Sequence, residues 1–327
     1  MGILGHDLRY VLGPQVMTGP SIHPHHRDFR VDMDAFYQLP GASGREIMSR
    51  LEHIQPQHPS AARRPSEFTT DSGIDLLEAF VPLGLVTELT SKCNLRCLYC
   101  SKANEAMNAA PGRDQHMDDE TSGKYLKLIE AYHFDYISFC GTGEITFHPD
   151  WVRTGRSILN RSKSKLGMVT NFGRSLSNDE LDFLLDMFSI TISVDTTDAK
   201  LMREVRKAVN FGIITTNLSN LRKRGIMVSK KLPSITINAT IYRENLNHIY
   251  DTACWAAAIG ANCFQMARMA LDPNNEFPQV ISKATATEAL EGIRQMNKAS
   301  DKLASLGVAW REFGDVRQEL TIIASRI

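Results

Sequence analysis

The sequence predicts an α/β protein, a partial six-stranded (β/α)6 barrel with an irregular amino-terminal extension. Three observations predict it. From Leu83 onward, short β-branched runs alternate with amphipathic stretches of helical period, the pattern of parallel strands joined by helical crossovers. Six such units can be counted, too few for a closed eight-stranded barrel. The residues before them read differently, being rich in Pro, Gly and His, as at Gly13-Pro14, Gly19-Pro20 and His23-Pro24-His25-His26.

The extension, residues 1–82, offers a plausible helix at 44–53 and a proline-rich linker at 55–65, and we expect it to cap the main domain. The core, residues 83–270, carries strands expected at 83–89, 136–140, 166–170, 189–194, 234–241 and 263–269. Helices are expected at 119–132, 151–161, 178–187, 218–224 and 246–259, then at 286–306 in a helical tail, residues 271–327. Asn178 reads as an N-cap with Asp179 and Glu180 in the first turn, and Gly260 as the glycine that ends the helix before it.

Lys plus Arg and Asp plus Glu each number 37, so no global charge draws nucleic acid or an anionic membrane. No run of about 18 apolar residues occurs, and Met1 to Tyr10 lacks the layout of a signal peptide, so a cytoplasmic protein is expected. The six cysteines do not make the even framework of a disulfide-rich secreted domain: three fall within eight residues, and Cys140, Cys254 and Cys263 are scattered. In a reducing compartment, that cluster points to metal.

Functional residues of an α/β barrel gather at the carboxyl ends of its strands. Directly after the first strand comes Thr90-Ser91-Lys92-Cys93-Asn94-Leu95-Arg96-Cys97-Leu98-Tyr99-Cys100, a loop in which three soft thiolates suit iron–sulfur or zinc. Three ligands on a four-iron cube leave one iron open to a small molecule. A structural zinc site would need a fourth ligand, from Cys140 or a histidine. After the second strand comes Cys140-Gly141-Thr142-Gly143-Glu144, whose glycines let backbone approach a ligand and whose carboxylate suits an ammonium group. The third and fourth strands end on Asn171 and on Ser193-Val194-Asp195, as ordinary strand-terminating turns also do.

The CxxxCxxC spacing, with an aromatic before the last cysteine, resembles the signature of the radical S-adenosylmethionine superfamily. The resemblance runs from Leu83 to Met269 and departs from the family's pattern at Ile145, where proline is usual. It implies a [4Fe-4S] cluster on Cys93, Cys97 and Cys100, with Tyr99 beside the cluster and the adenine. It further implies S-adenosylmethionine held by Gly141, Thr142, Gly143 and Glu144, with contacts from Asn171, Ser193, Asp195, Arg206 and Asn238. By residue pattern alone, Arg206 lies on a charged stretch typical of a solvated face. Gln265 and Arg268 are of opposite parity, so one of them faces inward.

The enzyme so implied cleaves S-adenosylmethionine reductively, draws its electron from a flavodoxin- or ferredoxin-type donor, and abstracts hydrogen from a substrate. No cysteine follows Cys263, and with Cys140, Cys254 and Cys263 alone remaining, auxiliary clusters with full cysteine ligation are not expected. Cys140, at a strand end, is the candidate to return a hydrogen atom to a substrate radical; Cys254 and Cys263 read as packing. The compact chain favours a small-molecule substrate such as a sugar, a nucleoside or another metabolite. The alternatives are a peptide- or protein-modifying enzyme, whose extension would dock a leader, and a zinc-stabilised binding protein without catalysis.

Overall fold

The computed structural model describes residues 84–100, 114–132, 134–269 and 280–326. The extension 1–82, with its expected helix, linker and histidine cluster, lies outside the described residues. In chain order the strands are β1 (Gly84–Thr87), β2 (Arg96–Cys97), β3 (Tyr136–Phe139), β4 (Lys165–Thr170), β5 (Ser189–Ser193), β6 (Arg206–Lys207), β7 (Ser234–Ile241), β8 (Cys263–Arg268) and β9 (Ala309–Phe313). The helices are α1 (Asp119–Ala131), α2 (Trp151–Arg161), α3 (Asn178–Leu184), α4 (Ala199–Val205), α5 (Phe211–Met227), α6 (Ile249–Ala258), α7 (Ala286–Ser305) and α8 (Val316–Ala324).

Seven of the strands form one sheet in the order β1-β3-β4-β5-β7-β8-β9, every neighbouring pair parallel. The six expected strands are all there, and β9 makes a seventh where six were expected. It lies within the stretch read as a helical tail, which holds α7 and α8 on either side of it. Five residues long, with Arg311 and Glu312 side by side between Trp310 and Phe313, Ala309–Phe313 holds no β-branched residue and so does not stand out. The remaining strands, β2 and β6, pair antiparallel as a two-residue ribbon.

The sheet has two unlike faces. Ile190, Ile192, Ile235, Ile237 and Phe264 are 0–1% exposed and pack in one continuous core with helix residues such as Ile158, Leu221, Ala253 and Ala256. The alternate residues Ser189, Thr191, Ser193, Thr236 and Asn238 are half-buried and polar. Parity thus sends one apolar set to the helices and a polar set to the other face.

Local chemistry fixes the helix ends. Ser177, not Asn178, caps α3: its hydroxyl accepts the Glu180 N–H, and the Glu180 carboxylate accepts the Ser177 N–H, a capping box. After α6, Gly260 takes φ +69°, its N–H meeting the Ala257 carbonyl while the Ala261 N–H reaches that of Ala256. That double closure is the glycine stop expected from sequence. Helix α5 starts seven residues before the expected Leu218, because Asn210 caps it and tertiary packing carries the Ile213-Ile214-Thr215-Thr216 run that disfavours helix locally.

Candidate active site

The loop after β1 is pinned at several points. The Leu95 N–H points at Cys93 Sγ (3.4 Å), the Cys100 N–H meets the Cys97 carbonyl (3.0 Å), and the Leu98 N–H meets that of Val205 (2.9 Å). Through the ribbon, Cys97 stands opposite Arg206. Asn171, just beyond β4, directs its amide N–H to Asn94 Oδ1 (2.8 Å) and to Cys93 Sγ (3.8 Å). Phe172, which follows it, is buried with φ +53°, a left-handed conformation costly for a bulky residue and held here by its neighbours.

All three thiols are half-buried. Burial pushes the Cys97 thiol up to about 12, against the opposing charge of Arg206, and raises Cys93 in the same way. Cys93 and Cys97 each feel the charge of Cys100, so the three sulfurs share one neighbourhood. Among the described residues no three His, Cys, Asp or Glu side chains gather around a single-ion site. A four-iron cube instead takes one thiolate at each of three corners, and a set of three soft donors fits it.

The glycine segment is bolted to this loop. The Glu144 N–H donates to the Lys92 carbonyl (2.8 Å), and a Cβ on Gly143 would collide with the carbonyls of Thr90 and Lys92, so only glycine lets the two backbones meet. Glu88, just past β1, closes the turn from the other side: its Oε1 accepts from the Thr142 N–H (2.5 Å), the Thr142 hydroxyl (2.6 Å) and the Gly143 N–H (3.1 Å). A side chain at Gly141 would strike Glu88, with Cγ 2.5 Å from the Cβ position. Cys140 sits at the carboxyl end of β3, its N–H on the Thr87 carbonyl (3.1 Å).

Glu144 is 3% exposed and already well supplied with donors. Its Oε1 accepts from the hydroxyls of Thr146 (2.9 Å) and Thr170 (2.6 Å) and from the Thr146 N–H (3.3 Å), and its Oε2 accepts from the Asn171 N–H (2.7 Å). The carboxylate therefore ties the ends of β3 and β4 together.

Asp195 and Arg206 face each other. Arg206 Nε and Nη2 donate to Asp195 Oδ2 (2.7 Å) and Oδ1 (2.8 Å), and the Tyr99 hydroxyl donates to Oδ2 (2.7 Å). The Thr240 N–H completes the set at Oδ1 (3.0 Å). Burial works against the Arg206 charge, yet Asp195 outweighs it and holds the guanidinium firmly protonated. Arg206 thus belongs to a buried pair rather than a solvated face. Ser193 and Asn238 are register partners on the polar face. Gln265 shares that face, donating to Asn238 Oδ1 (2.8 Å), whereas Arg268 turns away to Glu319 (2.7 Å).

Sequence reasoning missed Glu88, Thr170 and Asn245. Asn245 is fully buried, with its amide on the carbonyls of Asp195 (3.0 Å) and Thr240 (2.9 Å). A charged residue closing the apolar run Leu83–Leu89 was the available signal for Glu88. Thr170 shares the polar strand ending that marks Asn171, and Asn245 carries none.

A family model described as the Radical SAM superfamily matches residues 87–256, just over half of the chain. The tungsten-containing aldehyde ferredoxin oxidoreductase cofactor-modifying protein of Pyrococcus furiosus is 26% identical over 195 residues, covering 57% of this chain and 51% of that protein. The PqqA peptide cyclase of Methylorubrum extorquens is 26% identical over 203 residues, covering 60% and 48%. The chain spans about half the length of these curated relatives. In fold it is similar to Streptococcus suis SuiB bound to its precursor peptide SuiA, with a TM-score of 0.54 at 16% identity over 82% of this chain and 59% of that one.

Proposed function

Because the chain belongs to the radical S-adenosylmethionine superfamily, enzymes that use a [4Fe-4S] cluster and S-adenosylmethionine, we propose that Cys93, Cys97 and Cys100 hold the cluster and that the substrate is a peptide or protein. When bound, the cluster supplies the electron that cleaves S-adenosylmethionine, whose 5′-deoxyadenosyl radical takes a hydrogen atom from the substrate. The turn Gly141–Glu144, braced by Glu88 and tied to the thiol loop at the Lys92 carbonyl, is the proposed holder of the methionine amine, with the Glu144 carboxylate as its charged acceptor. Tyr99, held by Asp195, backs the thiol loop. Ser193 and Asn238 remain on the open polar face, available to the nucleoside. A flavodoxin- or ferredoxin-type protein is the proposed electron donor, and Cys140 the proposed hydrogen donor. The extension 1–82 is proposed as a cap over the site.

The observation that carries this reading is the bond between the Glu144 N–H and the Lys92 carbonyl, which unites the cysteine loop and the glycine turn in one site. The compact chain by itself favours a small metabolite. Similarity to a protein named for a peptide substrate, the PqqA cyclase, supports the peptide instead. The Pyrococcus relative, named for modifying a cofactor, favours the small molecule as the second reading.

The test is anaerobic reconstitution followed by dithionite and S-adenosylmethionine, with short peptides encoded beside the gene and, separately, with sugars and nucleosides. A brown protein with about four irons per chain, peptide-stimulated release of 5′-deoxyadenosine and a mass change in the peptide are the expected results. Stimulation by a metabolite and by no peptide moves the assignment to the second reading. A colourless protein that binds zinc and no iron would overturn both.

A further inference from the structure

The polar face of the sheet carries one level that runs unbroken across four strands. Register pairs Ser193 with Asn238, Asn238 with Gln265, and Gln265 with Arg311. The bond from Gln265 to Asn238 puts those two side chains on the same face. On the opposite parity, the rings of Phe264 and Trp310 meet with centroids 5.6 Å apart, so Arg311 projects with Gln265. The positive charge of Arg311 also reaches Cys263, one step along that face, where it opposes the effect of burial on the thiol.

Arg311 is half-buried and, among the described residues, has no ion-pair partner and no hydrogen-bond acceptor. Its neighbours in sequence and space differ: Arg268 pairs with Glu319, and Arg317 with Glu312. Gln265 is 7% exposed and spends its N–H on Asn238, which leaves its carbonyl oxygen without a donor among the described residues. A planar guanidinium is matched by a carboxylate, which accepts two parallel N–H bonds. The adjacent amide oxygen accepts an N–H. A carboxylate with an N–H close by is the chemistry of an acidic amino-acid unit.

We infer that Arg311, with Gln265 beside it, binds a carboxylate of the substrate and so selects peptides bearing an acidic side chain or a free chain end at that point. The inference rests on the peptide reading only for the class of molecule that brings the carboxylate. Three strand spacings of about 4.8 Å set Arg311 roughly 14 Å along the row from Ser193. The contact therefore holds a remote part of the substrate and leaves the thiol side of the sheet to the reacting carbon.

The experiment presents the full chain, reconstituted and with S-adenosylmethionine, to three hexapeptide libraries. One has free carboxyl ends and no Asp or Glu, one has amidated ends with Asp and Glu, and one is amidated without either. Retained peptides are counted by ultrafiltration and mass spectrometry. Wild type should retain one of the first two libraries over the third by about ten- to a hundred-fold, the worth of a charge-assisted bond, and which one is retained tells chain end from side chain. Arg311→Gln should abolish the preference, and Gln265→Glu should do the same by giving Arg311 a carboxylate within the protein. Arg268→Gln, on the other face, should leave it intact. Preference surviving in Arg311→Gln or, should that variant fail to fold, in Gln265→Glu overturns the inference. If no library is retained but glutarate binds calorimetrically to wild type and not to Arg311→Gln, the subsite stands and the peptide reading fails. Binding of neither peptides nor glutarate overturns the subsite.

Discussion

Asp195→Asn keeps the volume of the side chain and removes the charge that faces Arg206. The pair is bidentate, and the two side chains are 0% and 6% exposed, so water cannot replace the lost partner. Breaking one side of a buried pair costs about 3–5 kcal/mol, because the remaining charge stays buried. In the variant the amide oxygen can still accept from Arg206 Nη2 and the Thr240 N–H, while its NH2 faces Arg206 Nε, donor against donor, where the carboxylate accepted at 2.7 Å. We therefore expect a loss near the lower bound, about 3 kcal/mol. Arg206→Met should cost a similar amount, and the double variant Asp195→Asn with Arg206→Met much less than the sum, with a coupling of at least about 2 kcal/mol. The assay is urea unfolding of the full chain followed by circular dichroism, with iron content after reconstitution as a second readout, since Arg206 is the ribbon partner of Cys97. Single-variant costs below about 1 kcal/mol, or costs that add within about 0.5 kcal/mol, would refute the assignment of this pair to structure. A weakened affinity for S-adenosylmethionine at unchanged stability would return both residues to the nucleotide.

Cys97→Ala should lose iron while retaining fold, read by iron analysis and circular dichroism; full iron in the triple variant of Cys93, Cys97 and Cys100 to Ala sinks the ligand assignment. Glu144→Gln puts an NH2 among donors from Thr146, Thr170 and Asn171. It should lower stability by about 1–3 kcal/mol, and calorimetry should show S-adenosylmethionine binding about ten- to a hundred-fold more weakly; unchanged binding in an iron-replete variant places the amine elsewhere. The Glu180 carboxyl lies at about 2: burial raises it, but hydrogen bonds from Arg174, the Ser177 N–H and Trp151 outweigh burial. A depressed folded value means stability present above pH 4.5 and lost as pH falls toward 2, on the order of 3 kcal/mol. Glu180→Gln should flatten that acid limb of the denaturation profile, and an unchanged limb would show that other carboxylates set it.

What was legible in the sequence follows from the range over which each signal acts. The cysteine spacing, the glycine turn and the six expected strands are local patterns, and the structure returns them in the expected order along one sheet. The Gly260 stop was equally local. Two kinds of feature were not. Helix α5 and strand β9 are held by packing that overrides weak propensity, so their residues gave little warning. The ion pair of Asp195 with Arg206 joins residues on either side of α4, and a charged stretch such as Arg203-Glu204-Val205-Arg206-Lys207 reads as solvated until its partner is known. Only Arg206 of that stretch is buried among its charged members.

The same pair explains how the thiol loop acquires a fixed place with only the two-residue strand β2 as regular structure. A loop is ordered only where its ends and middle are tied to something rigid. Here β2 pairs with β6, the Arg206 of β6 is anchored to Asp195 just past β5, and the Asp195 carbonyl and Thr240 carbonyl are both held by Asn245. On the other side, Glu88 and the Glu144 N–H clamp the glycine turn against the start of the loop. Cys97 is thus referenced to β5 and β7, while Cys93 is referenced to β1, β3 and, through Asn171, to β4. Five strands set the positions of two thiols, so a substitution far from sulfur, at Asn245 for example, should shift the geometry of the site before it touches a ligand.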